Sequence, residues 1–297
     1  MSKIVRHPVY NTEAQIQRLT QIAYGGEGPE IGYMARLLLH SAFPHSATDA
    51  RVTERVNGNL HVTIQAGPRH KLPYGSYPRL ILAWIMTEAN RTKRRELVLG
   101  STLSEFMEQL GLIPTGGRWG TITQLREQMN RLLQARIVAE VSDERRDAGR
   151  TMEISTDWDL WWTPQESGQG GEWESTIRLG ERFFEEITRR PFPVDLRILK
   201  AVKRSPLGID LYTWLTYRVS YLKEPTHISW RQLHEQFGAD YSGEQGVWEF
   251  TRAVKRELVK IKAAWPALTY ETPRGRLKLH PCPPSVRPRL LPSGSGA

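Results

Sequence analysis

At 297 residues, 39% of them hydrophobic, the chain is long enough for two domains with ordinary cores and too apolar for a disordered polymer. A single cysteine, Cys282, excludes an internal disulfide and a cysteine-built zinc site, and no apolar run reaches bilayer length or forms a secretory signal, so a cytoplasmic location without membrane partners is expected. Lys and Arg number 41 against 32 acidic residues, a formal charge of +9 that favours polyanionic partners wherever it is concentrated on particular elements.

In chain order, residues 1–29 read as an arm with one short helix, apolar at Ile16, Leu19 and Ile22, closed by Gly25, Gly26, Gly28 and Pro29. Strands are expected at 32–39 and 59–66. The stretch PYGSYPR, residues 73–79, opens a helix over 76–91: Gly75 makes the turn, Ser76 is placed to cap, and Pro78 falls in the first turn, where no amide partner is needed. Residues 80–86 are apolar on every side, the mark of a central core helix.

Next comes a short helix that occurs twice. Leu103-Ser104-Glu105-Phe106-Met107-Glu108-Gln109-Leu110-Gly111 follows Ser101-Thr102, and Trp230-Arg231-Gln232-Leu233-His234-Glu235-Gln236-Phe237-Gly238 follows Ser229. Apolar residues match at the first, fourth and eighth places, a hydroxyl residue caps each start, and glycine closes each end. Each copy leads through a turn to a longer helix, with apolar positions Ile122, Leu125, Met129, Leu132 and Leu133 in the first and Val247, Phe250, Val254, Leu258, Ile261 and Trp265 in the second. Each longer helix leads to a hairpin, 137–141 with 151–155 and 268–271 with 276–280.

Helix, helix-turn-helix and β-hairpin, occurring twice, predict an α+β, mostly α chain of two tandem winged helix-turn-helix domains. Residues 30–162 would form the first, the Gly- and Ser-containing segment 163–171 a linker, 172–280 the second, and the Pro-, Gly- and Ser-rich 281–297 a disordered tail. Helices over 181–189, 195–204 and 206–222 would complete the second body.

In this architecture the second helix of each pair enters the major groove and the hairpin wing follows the backbone. The outward face of the second body's long helix carries Gln245, Glu249, Arg252, Arg256 and Lys260, with Lys255 and Trp248 beside them. Arg forms two bonds to guanine and Gln two to adenine, so this is base-reading chemistry, and Arg274, Arg276 and Lys278 on the wing suit phosphates. Glu249 is set to pair with Arg252, and Trp248 reads as a packing or domain-contact residue and not a base reader. The first body offers Arg118, Thr121, Gln124 and Arg131, less charge and so less base specificity. Its wing cations Arg145, Arg146 and Arg150 are offset by Asp143, Glu144 and Asp147, a balance that equally suits a dimer surface. Arg79, at its helix start, is in reach of a DNA backbone.

Nothing in the pattern asks for catalysis, a metal or a cofactor. Residues 116–120, GGRWG, lack the lysine and hydroxyl of a phosphate-binding loop, and no two of the eight histidines stand one residue apart. His40 and His45 have poor metal spacing and read as loop or surface residues, and Asp157 and Asp159 share a strand side without a third ligand nearby.

Asn57-Gly58-Asn59-Leu60, Leu72-Pro73-Tyr74-Gly75-Ser76-Tyr77-Pro78-Arg79 with Leu82-Ala83-Trp84, Arg95-Glu96-Leu97-Val98-Leu99-Gly100 and Leu103-Ser104-Glu105-Phe106 resemble the plasmid-encoded RepA replication initiators over most of residues 30–280. The resemblance implies a protein that binds direct repeats in double-stranded DNA at a plasmid origin, helps open the duplex and recruits the host initiator and helicase. It further implies that the second domain carries most sequence recognition, while the first contacts backbone and forms a homodimer. A transcriptional repressor of the same fold is the alternative that the pattern leaves open.

Overall fold

The computed structural model describes residues 12–39, 43–143, 145–162, 175–238 and 240–286. The expected linker 163–171 lies outside the described residues, as do His40, Glu144 and the tail from 287 onward. Helices and strands are mixed, with helix predominating. None of the described helices is long and apolar enough to cross a membrane.

The first half opens with α1 (Thr12–Tyr24), β1 (Ile31–Ala35), a 3-10 turn (Arg36–Leu39), β2 (Val52–Asn57) and β3 (Leu60–Gln65). Then follow α2 (Ser76–Thr92), β4 (Glu96–Val98), α3 (Leu103–Gln109), α4 (Thr121–Leu133), β5 (Arg136–Ser142), β6 (Asp147–Glu153) and β7 (Ser155–Asp159). The expected strand over 32–39 is thus strand only to Ala35. Helix α2 packs against α4, α5 (Glu181–Arg189), α7 (Pro206–Ser220) and β1, which is why residues 80–86 are buried on all sides. Its cap is Gly75, not Ser76: Gly75 stands at φ 76°, a left-handed value that side chains resist, and its amide donates to the Pro44 carbonyl at 3.0 Å.

The second half runs β8 (Thr176–Leu179), α5, β9 (Pro191–Asp195), α6 (Leu196–Ala201), α7, β10 (Thr226–Ser229), α8 (Trp230–Phe237), α9 (Gly246–Ala264), β11 (Tyr270–Glu271) and β12 (Arg276–Leu279). Both short repeat helices have their expected caps. Thr102 accepts from the Glu105 amide, and Ser229 forms a reciprocal box with Gln232.

The two hairpins are built into different surroundings. β11 and β12 join β10 in a small sheet ordered β10-β12-β11. β5 and β6 instead extend the β2–β3 hairpin into a sheet ordered β2-β3-β5-β6, with Ile64 opposite Ile137 and Ile137 opposite Met152. Strand β4 pairs with β8, which also pairs with β7.

Contacts across the two halves are extensive. β1 pairs with β9 in antiparallel register, and α1 lies against α9 and α6 with Leu19 fully buried. The buried apolar side chains form one connected cluster running through both halves. Residues 281–286, expected in a disordered tail, are ordered on the second half: Val286 is 4% exposed, the Trp265 indole N–H donates to the Pro283 carbonyl at 3.0 Å, and Ser285 lies 3.2 Å from the buried Tyr212 hydroxyl.

Candidate nucleic-acid interface

Helix α9 divides sharply into two faces. Phe250, Val254, Leu258 and Ile261 are fully buried, as the 3.6-residue period requires. Val247, expected on that face, is 40% exposed because it sits in the first turn, beyond the reach of the core. The outward face carries Gln245 at the N-cap, then Trp248, Glu249, Arg252, Lys255 and Arg256, all exposed. The Arg252 guanidinium stacks 4.6 Å from the Trp248 ring centroid, so the partner expected from Glu249 is replaced by an indole, and Trp248 is a surface group rather than a packing residue.

Trp230 ties this face to the wing. Its backbone amide donates to Gly275 O at 3.2 Å, at the hairpin tip, and the Lys255 ammonium lies 5.6 Å from its ring centroid. Arg276 is opposite Ser229 in the β10–β12 register, immediately before Trp230. Arg274 and Arg276 are exposed, with no acidic partner among the described residues. Lys278 pairs with Glu271 at 3.1 Å, and Lys278 together with His280 holds the Glu271 carboxyl below its ordinary range.

Lys260 departs from expectation. It is 8% exposed, with its ammonium 3.0 and 3.2 Å from the two Glu257 carboxylate oxygens, and Glu257 is itself 1% exposed. The pair turns inward because a buried carboxylate needs a cation more than a surface cation needs water. Lys260 is therefore withdrawn from the outward face. Arg256 keeps a side chain 61% exposed, 3.6 Å from Glu257.

The corresponding residues of the first half are largely engaged in holding their own structure. The Thr121 hydroxyl donates to Ile113 O at 2.6 Å and accepts from the Thr115 amide at 2.9 Å, while the Thr121 amide donates to the Thr115 hydroxyl at 2.9 Å. Arg131 donates to Leu72 O at 3.1 Å, pairs with Glu127, and lies over the Tyr74 ring, so it supports the PYGSYPR turn and is only 13% exposed. Gln124 is half-buried on the outer side of α4. Arg118 is exposed and stacks 5.1 Å from the Trp119 ring centroid.

Arg79 does not face a partner. It is 5% exposed and donates to both Asp210 oxygens, at 2.7 and 2.8 Å, and to the carbonyls of Phe43 and Gly75. His45, expected as a loop or surface residue, lies in a loop, but its side chain is 10% exposed, 3.0 Å from Asp210, and its amide donates to Asp240 at 2.6 Å. Burial pushes the Asp210 carboxyl upward, but Arg79 and His45 outweigh it and hold the group below its ordinary value. The cluster joins the start of α2, the 43–45 segment, α7 and the turn before α9. It has no sequence signal, since Arg79 and Asp210 are 131 residues apart.

The model of the plasmid-encoded RepA protein family matches residues 72–232, more than half of the chain. A crystal structure of RctB domains 2–3 has a similar fold, with a TM-score of 0.54 and 12% identity over 82% of this chain and 96% of that one. A selenomethionine derivative of RctB domains 2 and 3 gives a TM-score of 0.55 at 12% identity, covering 88% and 98%. No curated protein matches the chain significantly. The matched segment runs from the turn before α2, through the capped helix α3 and helix α4, to the first residues of α8, and the chain belongs to the family of plasmid-encoded RepA proteins.

Proposed function

We propose that this chain initiates plasmid replication by binding direct repeats at an origin, helping to open the duplex and bringing in the host initiator and helicase. Family membership supports a replication role with DNA as the partner. The observation that carries the reading is the second half's order of helix, strand, helix, helix and hairpin, with sheet order β10-β12-β11. That connectivity fits a winged helix-turn-helix, and it offers Gln245, Arg252, Lys255 and Arg256 on the helix and Arg274 and Arg276 on the wing to one duplex.

In this reading α9 contacts base edges in the major groove while the wing arginines hold phosphates. The first half contacts backbone and forms the homodimer; exposed Val52 and Val56 on the edge strand β2 support a self-association surface there. The protein acts by binding, without a catalytic step of its own.

Footprinting on the DNA flanking the gene tests this. An initiator protects several direct repeats about two helical turns apart and distorts a nearby A·T-rich stretch. Protection confined to one inverted repeat at a promoter would favour a repressor. A covalent protein–DNA product formed on supercoiled origin plasmid with magnesium would overturn the non-catalytic reading.

A further inference from the structure

Two tryptophans are far more exposed than a folded surface ordinarily allows: Trp119 at 79% and Trp248 at 57%. They lie near the same end of the two long helices, one just before the cap and one just after it. Trp119 directly precedes Gly120, the N-cap of α4, and Trp248 lies in the first turn of α9, whose N-cap is Gln245. Each carries an arginine guanidinium against its ring, Arg118 at 5.1 Å and Arg252 at 4.6 Å. The two helices otherwise present different residues outward, so the recurrence belongs to this end of the helix and not to a shared sequence.

The first of these groups sits on a stiff support. Besides the Thr115–Thr121 bonds, the Thr123 hydroxyl donates to Gly117 O at 2.9 Å, and a Cβ on Gly120 would fall 2.2 Å from Thr115 O, so the loop closes tightly on itself. Ile113, in the same loop, is also 79% exposed. A rigid loop that displays a tryptophan, an isoleucine and an arginine has no role in the fold's own core.

We propose that Trp119 with Arg118, and Trp248 with Arg252, are two base-contacting heads that place an aromatic face and a cation together on DNA at the start of each long helix. This rests on the DNA-reading function proposed above and deepens it. One face of each indole lies against its guanidinium, and the remaining surface takes a thymine methyl or a sugar while the arginine stays beside it for a base edge or a phosphate. A protein partner would need to match a cation and an aromatic ring at both places. A duplex offers thymine methyls, sugars and phosphates side by side along each groove. Trp248 thereby also positions Arg252, holding its guanidinium over the indole before contact.

The test uses the intact chain and a duplex selected by the wild-type protein from a random pool, with a random-sequence duplex as control, read by fluorescence polarisation. Trp119→Ala and Trp248→Ala are each expected to weaken the selected duplex by about tenfold or more, with Trp119→Phe and Trp248→Phe within about threefold of wild type. Far-UV circular dichroism and melting temperature should stay unchanged, because both rings are exposed. Alanine variants that bind like wild type would assign these heads to a protein partner and overturn the proposal. Phenylalanine variants as weak as alanine would overturn the aromatic contact as the mechanism. A wild-type chain that selects no duplex would instead remove the DNA-reading function itself.

Discussion

Helices α4 and α9 follow the same short capped helix and lead into the same kind of hairpin, yet they use their polar side chains differently. On α4, Thr121 fastens the preceding loop and Arg131 props the turn before α2, which leaves Arg126 as the exposed cation of that helix. On α9, Arg252, Lys255 and Arg256 remain exposed, while the buried Lys260 neutralises Glu257. The hairpins differ likewise: β5–β6 is absorbed into a four-stranded sheet, whereas β11–β12 leaves Arg274 and Arg276 exposed. A repeated topology therefore does not repeat a function. What decides is which side chains the surrounding fold has already engaged.

The comparison can be broken hardest at the contact that both halves share. Arg79→Ala leaves Asp210 without its main cation and should cost about 3–5 kcal/mol of unfolding free energy, measured by urea titration. If the halves are energetically one body, both should lose stability in a single transition. Because the Asp210 carboxyl is depressed in the folded chain, its stabilising contribution is present above the ordinary carboxylate pKa and is lost as pH falls through the lower folded value. Asp210→Asn should therefore flatten the acid limb of the stability curve.

Lys260→Ala comes next, at roughly 2–3 kcal/mol, below the full value for breaking a buried pair because Arg256 remains 3.6 Å from Glu257. Measured on folded protein, its DNA affinity should match wild type; a loss as large as that of Arg252→Ala would return Lys260 to the interface. Arg252→Ala and Arg256→Ala should each lose about 1–3 kcal/mol on a preferred duplex and blur sequence preference, while Arg131→Ala should lower thermal stability and leave that preference intact. Equal losses on random duplex would make the α9 arginines phosphate contacts. The smallest effect is expected from Arg274→Ala, which should reduce the salt dependence of binding by about one unit without changing preference.

Much of this organisation was legible locally. The hydroxyl caps of α3 and α8, the apolar spacing of α4 and α9, and the two hairpins follow from chemistry within a few residues. What escaped depends on distant partners. A helical wheel shows that Arg131 and Lys260 leave the apolar stripe, but not that Leu72 O and Glu257 await them. The pairing of β1 with β9 and of β4 with β8 crosses the expected domain boundary, and alternation within a strand does not identify its neighbour. Trp248 was misread for a related reason: its ring type suggests burial, and only the orientation of α9 puts it outside.

The seating of α1 against α9 has a consequence for the order of assembly. At ribosomal rates of 5–20 residues per second, α1 leaves the ribosome roughly ten to forty seconds before α9 exists to receive it. Leu19, fully buried at the end, waits for that partner even after α6, the other helix it packs beside, has been made. The earliest of the described helices is thus among the last to be fully secured, so synthesis interrupted before α9 should leave it more open to proteases and chaperones than the completed chain does.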